Sequence, residues 1–390
     1  MRACRLIDDA GKGSWAALAA LLLLGASAAV RAELPSDTDK GSSVTVLGEP
    51  TKHWVWVNDL VFPHMSDGMA MLIDGDTGRY LGTLSTGWGF VRVLLPKAGQ
   101  LIYSPEIYFS RGTRGVRTDV VTIYDAHTLS PVKEIQIPPK RSANMPMMAN
   151  AVLTDDDRYM LIYNFTPAQS VSVVDMKSQA FVREVETPGC ALVYPTGPRT
   201  FFSICGDGAL SLAQIDDSGN VTLTRSAPVF SPAKDPVTEK AVRIGKTWYF
   251  VSYEGQIHPV KAAASDASVE AAWWLTSEAE RKQGWRPGGL QQLAVDSHSH
   301  LYAIMHRGGP ETHKDPGKDV WVYDIATHQR VKQIALSNLA SSIQLTTDDK
   351  PLLFSIFIDK PVLDIYDAAD GRLLRSVDQV GTTPALLVTP

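Results

Sequence analysis

The sequence predicts an all-β chain: a seven-bladed β-propeller closed by pairing of its N- and C-terminal strands. Three observations lead there. First, a motif returns about every 50 residues, in which a short apolar run ends in Asp, a turn follows, and a second strand-like run follows the turn. Clear copies are Met71-Leu72-Ile73-Asp74, Val121–Asp125, Val171–Asp175, Val320–Asp324 and Leu363–Asp367, and degenerate copies near Leu210–Ile215 and Gly255–Val260 bring the count to seven. Second, the runs alternate and are rich in β-branched and aromatic residues, while Gly, Asp and Asn occupy the turns, where they supply positive φ or side-chain-to-backbone bonds. Third, the final strand, Pro384–Thr389, has no partner within its own repeat, and neither has the arm around Val44–Leu47. Closing a ring requires the two chain ends to share a blade, which removes the open edge.

Taken in order, residues 1–32 read as a secretory signal peptide. Arg2, Arg5 and Lys12 form a basic start, Trp15 to Leu24 is an uncharged apolar run, and Val30-Arg31-Ala32 offers small residues for cleavage. The run is too short for a membrane span. Residues 33–50 form a polar N-terminal arm, and residues 51–390 form the propeller, opening with a strand over Lys52–Asn58. Within each repeat an inner turn and strand (Thr154–Arg158 before Tyr159–Tyr163; Thr346–Lys350 before Pro351–Phe357) precede the strand ending in Asp. That Asp reads as a turn-former without a catalytic role. Two insertions break the period. Residues 104–119 carry Arg111, Arg114 and Arg117. Residues 273–292 carry a short helix with Thr276 as its cap, followed by Trp285-Arg286-Pro287-Gly288-Gly289. Loops longer than the repeat requires are where propellers keep function.

Composition is ordinary for a soluble globular chain: 44% apolar and 20% charged. Without residues 1–32 there remain 33 basic and 40 acidic side chains, a net charge of −7, which gives no electrostatic support to nucleic-acid binding. Export places the mature chain in an oxidising compartment with two cysteines, Cys190 and Cys205. They flank a strand-turn-strand stretch, so their β-carbons can meet across a hairpin. Two independent buried thiols are the alternative, and no metal-ligand spacing surrounds them. There is no nucleophile-elbow, nucleotide-binding glycine, haem-attachment or zinc motif. Arg111, Arg114 and Arg117 suit bidentate contacts with an acidic partner, or else a solvated loop with ion pairing to Asp119. Trp285 and Arg286 suit an interface anchor, or else local packing against their own blade. Gly288 and Gly289 suit a tight backbone path.

Several segments together resemble the heavy (α) chain of the quinoprotein amine dehydrogenases over nearly the whole mature chain. They are Arg111–Asp119, Ser203–Gly208, Leu275–Gln292 with its Gly-Trp-Arg-Pro-Gly-Gly core, Thr312-His313-Lys314 and Asp348–Leu353. Pro138–Arg141, Cys205–Gly208 and Phe250–Tyr253 look more like the aralkylamine branch than the methylamine branch. The resemblance implies the periplasm as the compartment and a non-catalytic heavy subunit in an α2β2 assembly with light chains that carry tryptophan tryptophylquinone. The assembly oxidises a primary amine to an aldehyde and ammonia and passes electrons to a blue copper protein. It also implies a disulfide between Cys190 and Cys205. Phe62 occupies the place of an aromatic residue that borders the substrate passage; the alternative is a Phe buried between blades. His64, in the same loop, reads as a rim residue. Nine tryptophans raise the thought that this chain carries the quinone itself, but the family places it in a Cys-rich light chain, and Trp54, Trp56 and Trp248 suit blade packing. The rival reading is a stand-alone periplasmic propeller that binds a ligand or scaffolds proteins.

Overall fold

The computed structural model describes residues 45–390. The segment read as a signal peptide, 1–32, and residues 33–44 of the arm lie outside the described residues. The chain is built almost entirely of antiparallel strands in consecutive meanders, each strand pairing with the next. Four meanders have simple boundaries: Ala151–Glu186, Cys190–Arg225, Val242–Val269 and Ser342–Val377. A fifth spans Trp285–Ala340, with its first strand interrupted between Trp285–Pro287 and Leu293–Val295. The remaining sheet has seven strands. It joins Trp54–Asp59, Gly68–Asp74 and Tyr80–Gly87 to Leu101–Arg111, Arg114–Asp125 and Pro131–Ile137 through one parallel partner pair, Gly87 and Ile107.

The C-terminal strand Pro384–Val388 completes the first meander. It pairs antiparallel with Trp54–Asp59, in the register Trp56 to Val388 and Val57 to Leu387. Among the described residues of the arm, 45–50, none pairs with this strand, contrary to the reading that gave the arm a share of the blade. Leu47 N instead donates to His127 O at 2.8 Å, on the turn after Asp125. The seam is held by the buried Asp59 carboxylate, which accepts from Thr382 N at 2.6 Å, Thr383 N at 2.8 Å and Val61 N at 2.9 Å. Burying a carboxylate without such donors is costly, so one side chain fixes both ends of the chain.

Core packing follows the alternation of the strands. One cluster of buried side chains joins the units around residues 54–84 and 93–126, another joins 94–137 to 151–176, and another joins 249–275 to 293–323. The same arrangement joins the last unit to the first, with Phe354, Ile356, Leu363 and Ile365 against Val55, Val57 and Ile73. Every sheet therefore buries one face on its predecessor and the other on its successor, which is how a ring of twisted sheets removes apolar surface from water.

The Asp closing each clear repeat is a turn-former, as read. Asp74 accepts from Asp76 N at 2.9 Å and Thr77 Oγ1 at 2.6 Å. Asp125 accepts from His127 N and Thr128 N, Asp175 from Lys177 N and Ser178 N, Asp324 from Thr327 N, and Asp367 from Ala369 N. Two other expectations need correction. Residues 104–119 are not a loop but the far half of a long hairpin, paired from Leu101–Asp125 out to Arg111–Arg114. From Tyr108 to Thr118 its residues are exposed or half-buried, and the strand period is hidden there because that part of the hairpin has no core to face. The short helix runs Glu278–Lys282, and its cap is Ser277 rather than Thr276. Ser277 and Glu280 form a reciprocal capping box, and the Ser-x-x-Glu spacing names that residue.

Candidate functional site at the loop end of the ring

Because strands alternate in direction, the start of each inner strand and the loop between the second and third strands lie at one end of the ring. The Asp turns lie at the other. Phe62, the Arg111–Arg114 turn, the Cys190–Cys205 pair and Trp285–Gly289 all fall at the first end.

Phe62 opens a 3-10 helix, Phe62–Asp67, entered through Val61 at φ 46°. Its backbone N–H donates to Thr383 Oγ1 at 2.7 Å, tying this loop to the closing seam. The side chain is 60% exposed, which excludes a Phe buried between blades. Its sequence neighbours Leu60 and Met65 belong to an apolar cluster with Phe90, Ala385 and Leu386, which Met148 and Leu290 border, while Phe62 itself stays outside it. His64 is exposed, as a rim residue is.

The hairpin carrying the arginines projects beyond its sheet, and residues 110–116 are all exposed. Its base is anchored by the buried Glu106, which accepts from Thr122 Oγ1 at 2.5 Å, Tyr108 Oη at 2.6 Å and Tyr124 Oη at 2.8 Å. Burial raises the Glu106 carboxyl, against the pull of those hydroxyls. The structure divides the arginine trio. Arg117 donates to both oxygens of Asp119, at 2.6 and 2.7 Å, and to Arg141 O at 2.8 Å, so its charge is spent within the fold. Arg111 and Arg114 stand exposed at the tip, with no ion pair within 4 Å among the described residues.

Trp285 is half-buried and packs on its own sheet, its ring centroid 5.0 Å from that of Trp321, with the Arg307 guanidinium 5.0 Å from its face. Arg286 Nε is buried with no hydrogen-bond partner among the described residues. Gly288 and Gly289 follow a tight path. A β-carbon on Gly288 would meet the Asp315 carbonyl and lie 2.6 Å from the His306 ring, and one on Gly289, at φ 121°, would lie 2.5 Å from Ser341 O. Cys190 and Cys205 face each other across the strand pair and are joined as a disulfide. Arg225 lies over it, Nη1 being 3.2 Å from Cys205 Sγ while Nη2 donates to Asp207 at 2.7 Å.

Comparison with known proteins gives this end a context. Residues 52–390 match the profile of the methylamine dehydrogenase heavy chain. The chain belongs to the methylamine dehydrogenase heavy chain family. It is 34% identical over 325 residues to the methylamine dehydrogenase heavy chain of Paracoccus versutus, covering 82% of this chain and 75% of that one. It is 28% identical over 360 residues to the heavy chain of Methylophilus methylotrophus, covering 91% and 88%. Among solved structures, a protein of unknown function from Desulfotomaculum acetoxidans aligns with a TM-score of 0.60 at 12% identity, covering 86% of this chain and 98% of that one. The Swd1 β-propeller domain of Myceliophteria thermophila aligns with a TM-score of 0.56 at 10% identity, covering 84% and 98%. At such identities these two speak for the fold alone, a propeller-like arrangement of sheets.

Members of the heavy chain family are subunits of an amine dehydrogenase, an oxidoreductase. The three tryptophans read as packing residues do pack in the core. Trp54 and Trp56 lie in the core between the first two units, and Trp248 joins Tyr194, Phe202 and Phe250 in an aromatic cluster. One group of side chains had no signal in the sequence. Arg92 comes from one repeat and the adjacent Glu239 and Lys240 from another, and they line one cavity only because the inner strands converge.

Proposed function

We propose that this chain is the exported, periplasmic heavy subunit of an amine dehydrogenase and that its ring has seven blades. Dividing the seven-stranded sheet at its single parallel pair supports that count. In this reading two copies hold two light chains in an α2β2 assembly. The observation that carries it is the family match across residues 52–390, set beside the gathering of Phe62, Arg111, Arg114 and Trp285–Gly289 at one end of the ring. A light chain bearing tryptophan tryptophylquinone would supply the redox chemistry, a two-electron oxidation of the amine. Amine and water yield aldehyde, ammonia, two protons and two electrons, and the electrons leave through a blue copper protein.

The residues of this chain position and exclude. The rigid disc presents a fixed surface to the light chain, so little conformational freedom is lost on docking. Arg111 and Arg114 offer unpaired guanidinium groups to an acidic partner surface. Phe62 offers an exposed aromatic ring in the loop between Leu60 and Met65, which suits one wall of a passage for an amine with an aromatic body. That geometry, together with Pro138–Arg141, Cys205–Gly208 and Phe250–Tyr253, supports an aralkyl substrate.

Co-expression with a small Cys-rich exported chain is expected to give a co-purifying complex with quinone absorbance that turns over 2-phenylethylamine faster than methylamine. The heavy chain alone is expected to show neither absorbance nor turnover. Amine oxidation by the heavy chain alone places the chemistry wrongly. A monodisperse heavy chain that captures no light chain favours the stand-alone propeller. Faster turnover of methylamine removes the aralkyl assignment.

A further inference from the structure

The inner strands enclose a cavity of about 250 Å³ on the axis. Met148, Val152, Trp248, Leu290 and Leu293 give it a mainly apolar wall. Arg92 and Lys240 line it too, and both are half-buried. Arg92 donates through Nε to Met148 O at 2.9 Å and through Nη2 to Ala151 O at 2.8 Å, with a longer bond to Val93 O. Lys240 Nζ donates to Gly289 O at 2.6 Å. Neither makes an ion pair within 4 Å among the described residues. Arg243, on the same wall, differs in that Asp155 holds it at 2.6 and 2.9 Å.

Two cations thus share one apolar cavity with carbonyl oxygens as their partners. Carbonyls satisfy N–H groups but carry no net charge, and charges withdrawn from water are ordinarily paired. Glu239 lines the cavity as well, but burial raises its carboxyl toward the neutral form, and it forms no ion pair with Lys240 within 4 Å. Burial disfavours both cations, pushing Lys240 down to about 8 with a further contribution from Lys314. The donor inventory is also incomplete. An ammonium has three N–H bonds and a guanidinium five, so each side chain retains unused donors. Gln291 and Gln344 do not compete for a ligand, because Gln291 is taken up by Gln344 and by both backbone groups of Leu387.

We propose that this cavity binds a small organic carboxylate, its head held by Lys240 and Arg92 and its apolar body lying against Trp248, Leu290 and Leu293. A carboxylate matches the free donors and brings the negative charge that neither cation receives from an ion pair. A phosphate brings more oxygens and no apolar body. The proposal rests on this chain alone and stands whether or not a light chain is its partner.

The test is calorimetric titration of the purified full-length mature chain with benzoate, and separately with inorganic phosphate, followed in parallel by tryptophan fluorescence. Benzoate is expected to bind saturably at one site, and phosphate is not. Lys240→Met and Arg92→Gln are each expected to weaken benzoate by at least about tenfold, the scale of one charge-assisted bond. Absence of saturable benzoate binding to the unaltered chain overturns the proposal. So does unchanged affinity in either variant that keeps its far-ultraviolet circular dichroism, or phosphate binding as tight as benzoate. The unaltered chain and two separate variants keep the test decisive if one substitution prevents folding.

Discussion

The two ends of the ring are built from the same strands but by different rules. At the Asp-turn end, each Asp bonds amides two or three residues ahead of it, so every turn is self-contained and the motif repeats from unit to unit. At the loop end no two connections are alike: a 3-10 helix, a projecting hairpin, a cross-strand disulfide and a doubled glycine. Contacts there are long-range, such as Phe62 to Thr383 and Lys240 to Gly289. The regular end specifies the fold and the irregular end carries the individuality of this member of the family.

Perturbing the loop end is expected to cost more than perturbing the Asp turns. The largest effect falls on the disulfide. Cys205→Ser is expected to lower stability by about 3 kcal/mol, the loop-closure value for a 15-residue separation, read as a shift of the denaturant midpoint. An unchanged midpoint would show that the neighbouring strand pairs hold this unit unaided.

Gly289→Ala comes next. The residue sits at φ 121° with Ser341 O 2.5 Å from any added β-carbon, so a loss of roughly 2–3 kcal/mol is expected. Gly78→Ala, at the opposite end, has φ 74° and meets only the side chains of Arg375 and Val377 at 3.2 Å. About 1 kcal/mol is expected there. Equal losses in thermal melts of the two variants would erase the contrast between the ends.

Phe62→Ala separates function from stability. Because the ring is exposed, melting is expected to move by less than about 0.5 kcal/mol. If Phe62 walls the amine passage, the ratio of kcat/KM for 2-phenylethylamine over methylamine is expected to change by at least about tenfold, or about 1.4 kcal/mol. An unchanged ratio in an assembled complex eliminates the passage role.

The smallest effects are pH-dependent and belong to the Asp-turn end. His53 lies between Asp76 Oδ1 at 2.6 Å and Asp348 Oδ2 at 3.0 Å, linking the first unit to the last. Burial works to lower its pKa, but hydrogen bonds and charge from both carboxylates outweigh burial and raise it. Its contribution is therefore complete below the unfolded value of about 6.5 and is lost as pH rises through the higher folded value. Below about 1 kcal/mol is expected for so exposed a pair, detected as a pH-dependent melting difference from His53→Gln. A difference that grows with rising pH would contradict the sign. Asp175 runs the other way. Burial works to raise its carboxyl, but Arg158 and the amides of Ser178 and Lys177 hold it below the usual range. Its contribution is present above about pH 3.9 and fades as pH falls through the lower folded value, so Asp175→Asn is expected to flatten the acid limb of the stability curve.

How legible the molecule is in its sequence follows this same division. Alternation and the turn-forming Asp are local signals, acting over two to four residues, and they determine the strands, the repeat and the all-β class. Ser277, misread in favour of Thr276, was equally local and readable from its Ser-x-x-Glu spacing. The outer part of the 104–119 hairpin, residues 108–118, was unreadable for a physical reason: strands that project from the ring have no core to impose alternation. The pairing of Arg117 with Asp119 was visible as one of two alternatives, and only the geometry of the hairpin base chose between them. Whether Phe62 is core or surface, which cations face the axis, and which loops share an end depend on ring closure. That closure brings Asp59 to Thr382 and Thr383, and Gln291 to Leu387, across about a hundred residues or more. A sequence records the order of such residues but not their meeting, because the free energy that joins them arises from packing whole sheets face to face.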